Sequence, residues 1–112
     1  MGKIQRVESV AALDELLERS RERPVWVFKH SLTCGTSSAA WAEFQRFVAE
    51  EPGDGGTVYA LIEVQNARAV SSALAERTGV RHESPQVFLL RDARASWHAS
   101  HFQIKVQALK SV

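Results

Sequence analysis

Apolar residues change their spacing along the chain in a regular order. Val10, Leu13, Leu16 and Leu17 fall on one face of a helix, which predicts α-helix over "VAALDELLERSRER", with Ser9 as its cap and Pro24 as its stop. "VWVF" follows as a short continuous apolar run, the signature of a strand buried on both faces. Beyond the polar stretch "KHSLTCGTS", Ala40, Phe44, Phe47 and Val48 restore helical spacing in "SAAWAEFQRFVAEE", which Glu50–Pro52 should end. After the turn "PGDGG", "TVYALIEV" reads as a second buried strand. Asn66 is the expected cap of "ARAVSSALAERTG", with Val70, Ala73 and Leu74 inward and Gly79 at its stop. "QVFLLRD" and "RASWHASHF" are the third and fourth strands, joined through "RDAR", and "QIKVQALKSV" closes as a short helix.

The predicted order is α-β-α-β-α-β-β-α, in one domain spanning residues 1–112. Strands alternating with helices of this length imply crossovers and a parallel pair. The closing hairpin adds antiparallel strands to the same sheet. A four-stranded mixed sheet with helices on both faces is an α/β, thioredoxin-like arrangement.

Composition narrows the picture. With 45% hydrophobic and 24% charged residues in a chain of 112, the sequence is ordinary for one globular domain. The net charge is +1, with both signs interspersed, so there is no electrostatic case for nucleic acid. The start, "MGKIQRVESV", has no apolar leader pattern, and no apolar run is long enough to span a membrane. A cytoplasmic location is the expectation. A single cysteine excludes any internal disulfide.

That cysteine, Cys34, lies between a buried strand and an amphipathic helix, at or just before the helix N-terminus. Unpaired N–H groups and the helix dipole there favour negative charge, and such positions lower cysteine pKa values. Lys29 and His30 stand just upstream and would add positive potential if the loop folds back. Ser37 would serve as a helix cap or donate its hydroxyl to the sulfur. An inert buried thiol is the bland alternative, but "HSLTCGTSS" is too polar for a core.

Ser84-Pro85 stands immediately before an apolar strand, where a proline must sit at the start because it lacks a ladder donor. A trans proline would satisfy that pattern; the spacing after the third helix favours cis. In thioredoxin-like folds a cis proline at this place faces the reactive cysteine, and Ser84 would present backbone groups to substrate. His30, His82, His98 and His101 do not suggest zinc, because a structural site wants four ligands and no second cysteine exists. Trp26, Trp41 and Trp97 read as core or groove residues. Gly53, Gly55 and Gly56 lack the lysine and hydroxyl residue of a phosphate loop.

"FKHSLTCGTSSAAWAEFQRF", "SPQVFLLRD" and "SWHASH" together resemble the YtxJ-type monothiol bacilliredoxins of the bacillithiol system. The resemblance runs from about Pro24 to the last helix. It implies a small cytoplasmic thiol–disulfide oxidoreductase that removes bacillithiol from mixed disulfides on client proteins through one nucleophile, Cys34. Bacillithiol would be the low-mass thiol co-substrate, with no tightly bound cofactor. Lys29, His30, Thr33, Ser37, Ser84 and Pro85 are then the expected substrate-binding residues. The family motif is commonly Thr-Cys-Pro-Ile-Ser, whereas this chain has Thr33-Cys34-Gly35-Thr36-Ser37. Cys-Gly-Thr-Ser is also one residue from the Cys-Gly-Phe-Ser motif of monothiol glutaredoxins, which carry iron–sulfur clusters. That reading, and a redox-inert binding module, remain alternatives.

Overall fold

The computed structural model of the chain describes residues 4–51 and 56–112, and among them every predicted helix and strand is present, with one strand added. The elements are β1 (Ile4–Arg6), α1 (Val10–Arg19), β2 (Val25–His30), α2 (Gly35–Glu50), β3 (Val58–Glu63), α3 (Arg68–Thr78), β4 (Gln86–Arg91), β5 (Arg94–Ser100) and α4 (Val106–Lys110), with a 3-10 turn at His101–Gln103. The turn expected at "PGDGG" lies largely outside the described residues.

Among the described residues the sheet has five strands, in the order β1-β3-β2-β4-β5, rather than the four expected. β1 and β2 both run parallel to β3, while β4 is antiparallel to β2 and β5. The added strand has only three residues and two of them are exposed. No apolar period marks it; the free edge of β3 recruits it through pairs such as Gln5 with Ala60.

Side chains alternate across β2 and so divide the core in two. Val25 and Val27 face Leu13, Leu16, Val70 and Leu74 of α1 and α3. Trp26 and Phe28 face Ala40, Phe44, Phe47 and Val48 of α2, with Leu109 of α4. Burying a phenylalanine fully contributes about 1.5–3 kcal/mol. Phe28 and Phe44, both fully buried with ring centroids 5.2 Å apart, therefore fix α2 firmly on the sheet.

The helix ends show which local signals held. Ser9 caps α1, its hydroxyl accepting from the Ala12 N–H at 3.1 Å. The helix stops at Arg19, short of Pro24, because Ser20 turns the chain. The Ser20 hydroxyl donates to the Leu17 carbonyl at 2.6 Å and accepts from the Ala93 N–H at 2.8 Å. Gly79 ends α3 with φ +72°, a conformation that suits glycine. Asn66 does not cap that helix: Ala67 takes the position, and the Asn66 amide instead reaches Glu63 at 3.1 Å.

Candidate active-site thiol

β2 delivers the chain to a three-residue loop, Ser31–Thr33, and then to Cys34, the N-cap of α2. The helix begins at Gly35, earlier than its apolar spacing indicated, so Ser37 lies in its first turn and is not the cap. Cys34 is extended (φ −113°, ψ 125°), and its carbonyl accepts from the N–H groups of Ser37 at 3.1 Å and Ser38 at 3.2 Å. The thiol is half-buried and free.

Its pKa lies below that of an ordinary cysteine. The backbone N–H of Ser37 contributes most to that shift, partial burial opposes it, and the backbone N–H and hydroxyl of Thr36 add to it. These donors lie in the first turn of α2, whose N–H groups have no full-turn helical carbonyl to bond, and they stabilise the thiolate, the nucleophilic form. Thr36 escaped the sequence reading, although its place two residues beyond the cysteine is where a hydroxyl can reach back.

The Ser37 hydroxyl is committed elsewhere. It accepts from the Ser31 N–H at 2.8 Å and lies 2.7 Å from His30 Nδ1. The direction of that second bond follows the imidazole tautomer, because the hydroxyl has one hydrogen to donate and a second lone pair to accept with. Burial lowers the His30 pKa, against an opposing pull from Glu63, and so favours the neutral ring. The ring is stacked on Trp41, centroids 5.6 Å apart. His30 and Ser37 thus brace the loop from the α2 side, and the expectation that Ser37 donates to the sulfur is corrected.

Lys29 points the other way. As the residue before His30 on β2 it faces α1 and α3, fully buried, with its amine 5.8 Å from the centre of the Phe88 ring. Nζ has no hydrogen-bond partner among the described residues, and burial pulls its pKa from 10.5 down to about 8. The structure does not bring this amine to the thiol loop, because strand alternation sends it to the opposite face of the sheet.

The Ser84–Pro85 bond is cis. Pro85 immediately precedes β4, whose first residue, Gln86, pairs with Lys29, so the proline loop and the thiol loop occupy the same end of the sheet. The Pro85 carbonyl accepts from the His101 N–H at 3.1 Å. Ser84 Oγ is buried without a partner among the described residues. The remaining histidines stay apart. His98 lies against Phe88 at 6.2 Å, His101 Nδ1 is 3.5 Å from Glu83, and His82 is 3.3 Å from the Ser71 hydroxyl.

Gln65 is a second residue that no sequence signal revealed. It follows β3 and reaches the thiol loop, 32 to 34 residues distant in the chain, through Leu32, Ser31 and Thr33.

Residues 5–109 match the model of the monothiol bacilliredoxin BrxC family. The chain belongs to that family. Among solved structures it is similar to an oxidoreductase with a thioredoxin fold, at 30% identity and a TM-score of 0.85, covering 98% of this chain and 93% of that one. Thioredoxin f from spinach chloroplast in its short form superposes with a TM-score of 0.73 at 14% identity, over 98% of this chain and 89% of that one. A variant thioredoxin from Halobacterium salinarum gives 0.73 at 21% identity, over 97% and 86%. The fold is therefore thioredoxin-like, as the element order predicted. The bacilliredoxin is a thiol–disulfide oxidoreductase, and its single cysteine makes it monothiol. No helix among the described residues is long and apolar enough to cross a membrane.

Proposed function

We propose that this bacilliredoxin removes bacillithiol from mixed disulfides on client proteins, with Cys34 as the nucleophile. The observation that carries the reading is the position of Cys34 as the N-cap of α2, where the N–H groups of Ser37 and Thr36 lower the pKa of its free thiol. The Cys34 thiolate attacks the bacillithiol sulfur of the client disulfide. One S–S bond breaks and one forms, the client leaves as a thiolate, and Cys34 carries the bacillithiol cap. A second molecule of low-mass thiol then attacks the cap and restores the Cys34 thiolate. No electrons are gained or lost by the protein over the cycle, so no resident cofactor is required.

Serine at position 37 suits this cycle, since it cannot compete for the capped sulfur as a second cysteine would. Thr33, exposed beside Cys34, and Ser84, with its unpartnered hydroxyl at the cis proline, are our candidates for holding the polar groups of the cap. Pro85 would shape the floor on which an extended client lies. His30 and Ser37 hold the loop, and Lys29, with its amine enclosed, stays outside the proposal. A reducing cytoplasm is the setting such chemistry implies.

The test is release of bacillithiol from a capped model client, read by intact mass. Wild-type protein should free the client and acquire the mass of one bacillithiol, and Cys34→Ala should do neither. Oxidised glutathione offered in parallel tests the choice of thiol. Release by Cys34→Ala at the wild-type rate, or capping by glutathione alone, would defeat the proposal.

A further inference from the structure

The loop between β2 and the thiol, Ser31–Thr33, has little packing to hold it. Leu32 and Thr33 are exposed and Ser31 is half-buried. Two side chains take up its backbone donors. The Ser31 N–H goes to the Ser37 hydroxyl at 2.8 Å, on the α2 side. The Leu32 N–H goes to Gln65 Oε1 at 3.0 Å, on the β3 side. Gln65 does more than accept one bond. Its Nε2 donates to the Ser31 hydroxyl at 3.0 Å and to the Thr33 hydroxyl at 3.3 Å. One amide therefore holds all three residues that precede Cys34.

The sheet register explains why Gln65 can reach. β2 and β3 run parallel with His30 opposite Glu63, and the Val64 N–H continues the ladder to the His30 carbonyl at 2.9 Å. The next residue on the β3 side is Gln65, and the next on the β2 side is Ser31. The two segments leave the sheet side by side, and the glutamine side chain spans the gap between them.

We infer that Gln65 is a positioning residue for the reactive thiol: it fixes the Ser31–Thr33 loop so that Cys34 enters the helix in the extended conformation that sets its sulfur on the Thr36 and Ser37 donors. This rests on Cys34 being the reacting thiol. An amide suits the task better than a carboxylate or an amine. It accepts from one group and donates to two, and it places no charge beside the thiolate. The same amide orients the Thr33 hydroxyl, the loop's own candidate for contact with the cap.

The experiment compares wild type, Gln65→Ala and Gln65→Glu by two readouts, with thermal melting as the control for folding. Hydrogen exchange of the Leu32 amide reports the loop, and alkylation rate against pH reports the thiolate. Gln65→Ala should speed Leu32 exchange about tenfold or more and move the thiol titration upward toward that of free cysteine. At neutral pH alkylation should fall several-fold. Gln65→Glu keeps an acceptor for the Leu32 N–H, so it should retain slow exchange, which separates loss of the bond from loss of the fold. A Gln65→Ala protein with wild-type Leu32 exchange and a wild-type, depressed titration would overturn the inference while leaving Cys34 as the reactive thiol. A wild-type titration at the free-cysteine value would overturn both.

Discussion

The Ser37 hydroxyl lies 2.7 Å from His30 Nδ1, while the Ser37 backbone N–H serves the Cys34 sulfur. One residue thus acts twice, through its side chain on the loop and through its main chain on the thiol. Ser37→Ala separates the two. It leaves the half-buried Ser31 N–H and imidazole without their partner, a loss for each below the roughly 1–3 kcal/mol of a fully buried group. The midpoint of urea unfolding should fall accordingly. The thiol titration should hardly move, because the backbone donor remains. A titration shifted as far as that of a Thr36 variant would show that the hydroxyl reaches the sulfur after all.

Thr36 gives the complementary experiment. Its hydroxyl contributes to the lowered pKa of Cys34, after the larger contribution of the Ser37 N–H. Thr36→Val keeps the shape and the backbone N–H but removes the hydroxyl. The apparent thiol pKa, from alkylation rate against pH, should begin below the free-cysteine value of about 8.5 and rise modestly in the variant. Melting temperature should stay close to wild type, since valine fills the same half-buried space. An unchanged titration would mean that the backbone donors act alone.

What could be read in advance follows a physical division. The apolar periods of β2, α2, β3 and β4 are set by burial on one or two faces, so they were visible locally. Cys34 and the Ser84-Pro85 step were visible because each sits at a junction between elements. The side-chain assignments were harder. Lys29 and His30 are neighbours in the chain but occupy opposite faces of the sheet, and only the strand's alternation separates them. Ser37 was expected as the helix cap or as a donor to the sulfur, yet Cys34 takes the cap position, and a strand-end histidine and a loop N–H take up the serine hydroxyl. Gln65 and the three-residue β1 depend wholly on tertiary register, so no local pattern could announce them.

Lys29 makes a prediction about stability. Its folded pKa of about 8 lies below the ordinary 10.5 because burial disfavours the charged amine. Between those values the unfolded chain binds the proton that the folded chain has released. Stability should therefore rise with pH across that window, and below about pH 8 the full cost of the buried charge remains. Lys29→Met removes the cost. At pH 7 it should stabilise the fold by up to about 3 kcal/mol, from the conversion of 1.36 kcal/mol per pKa unit. The gain should shrink toward zero near pH 10.5. Paired urea titrations of wild type and variant at pH 7 and pH 10 isolate this group from all others. A Lys29→Met protein less stable than wild type at pH 7 would mean that the amine has a partner worth more than its desolvation.

Gly35 is where the chain departs from the proline common in the family's motif, and the structure says what restoring it should do. Gly35 is the first residue of α2, a position where the fixed φ of proline matches the helix and its missing N–H is not required. The preceding residue must be extended, and Cys34, with φ −113° and ψ 125°, already is. A Cβ built at Gly35 meets nothing within 4 Å. The donors that lower the thiol pKa belong to Thr36 and Ser37, so the lost N–H is not one of them. Gly35→Pro should therefore stabilise the protein by about 0.4–1 kcal/mol, through a stiffer unfolded chain. It should leave the thiol titration within a few tenths of a unit of wild type. Thermal melting and alkylation against pH check the two halves separately. If both hold, any change in the preference between bacillithiol and glutathione must come from the altered surface beside Cys34. A destabilised Gly35→Pro would instead show that the turn into α2 uses freedom that only glycine supplies.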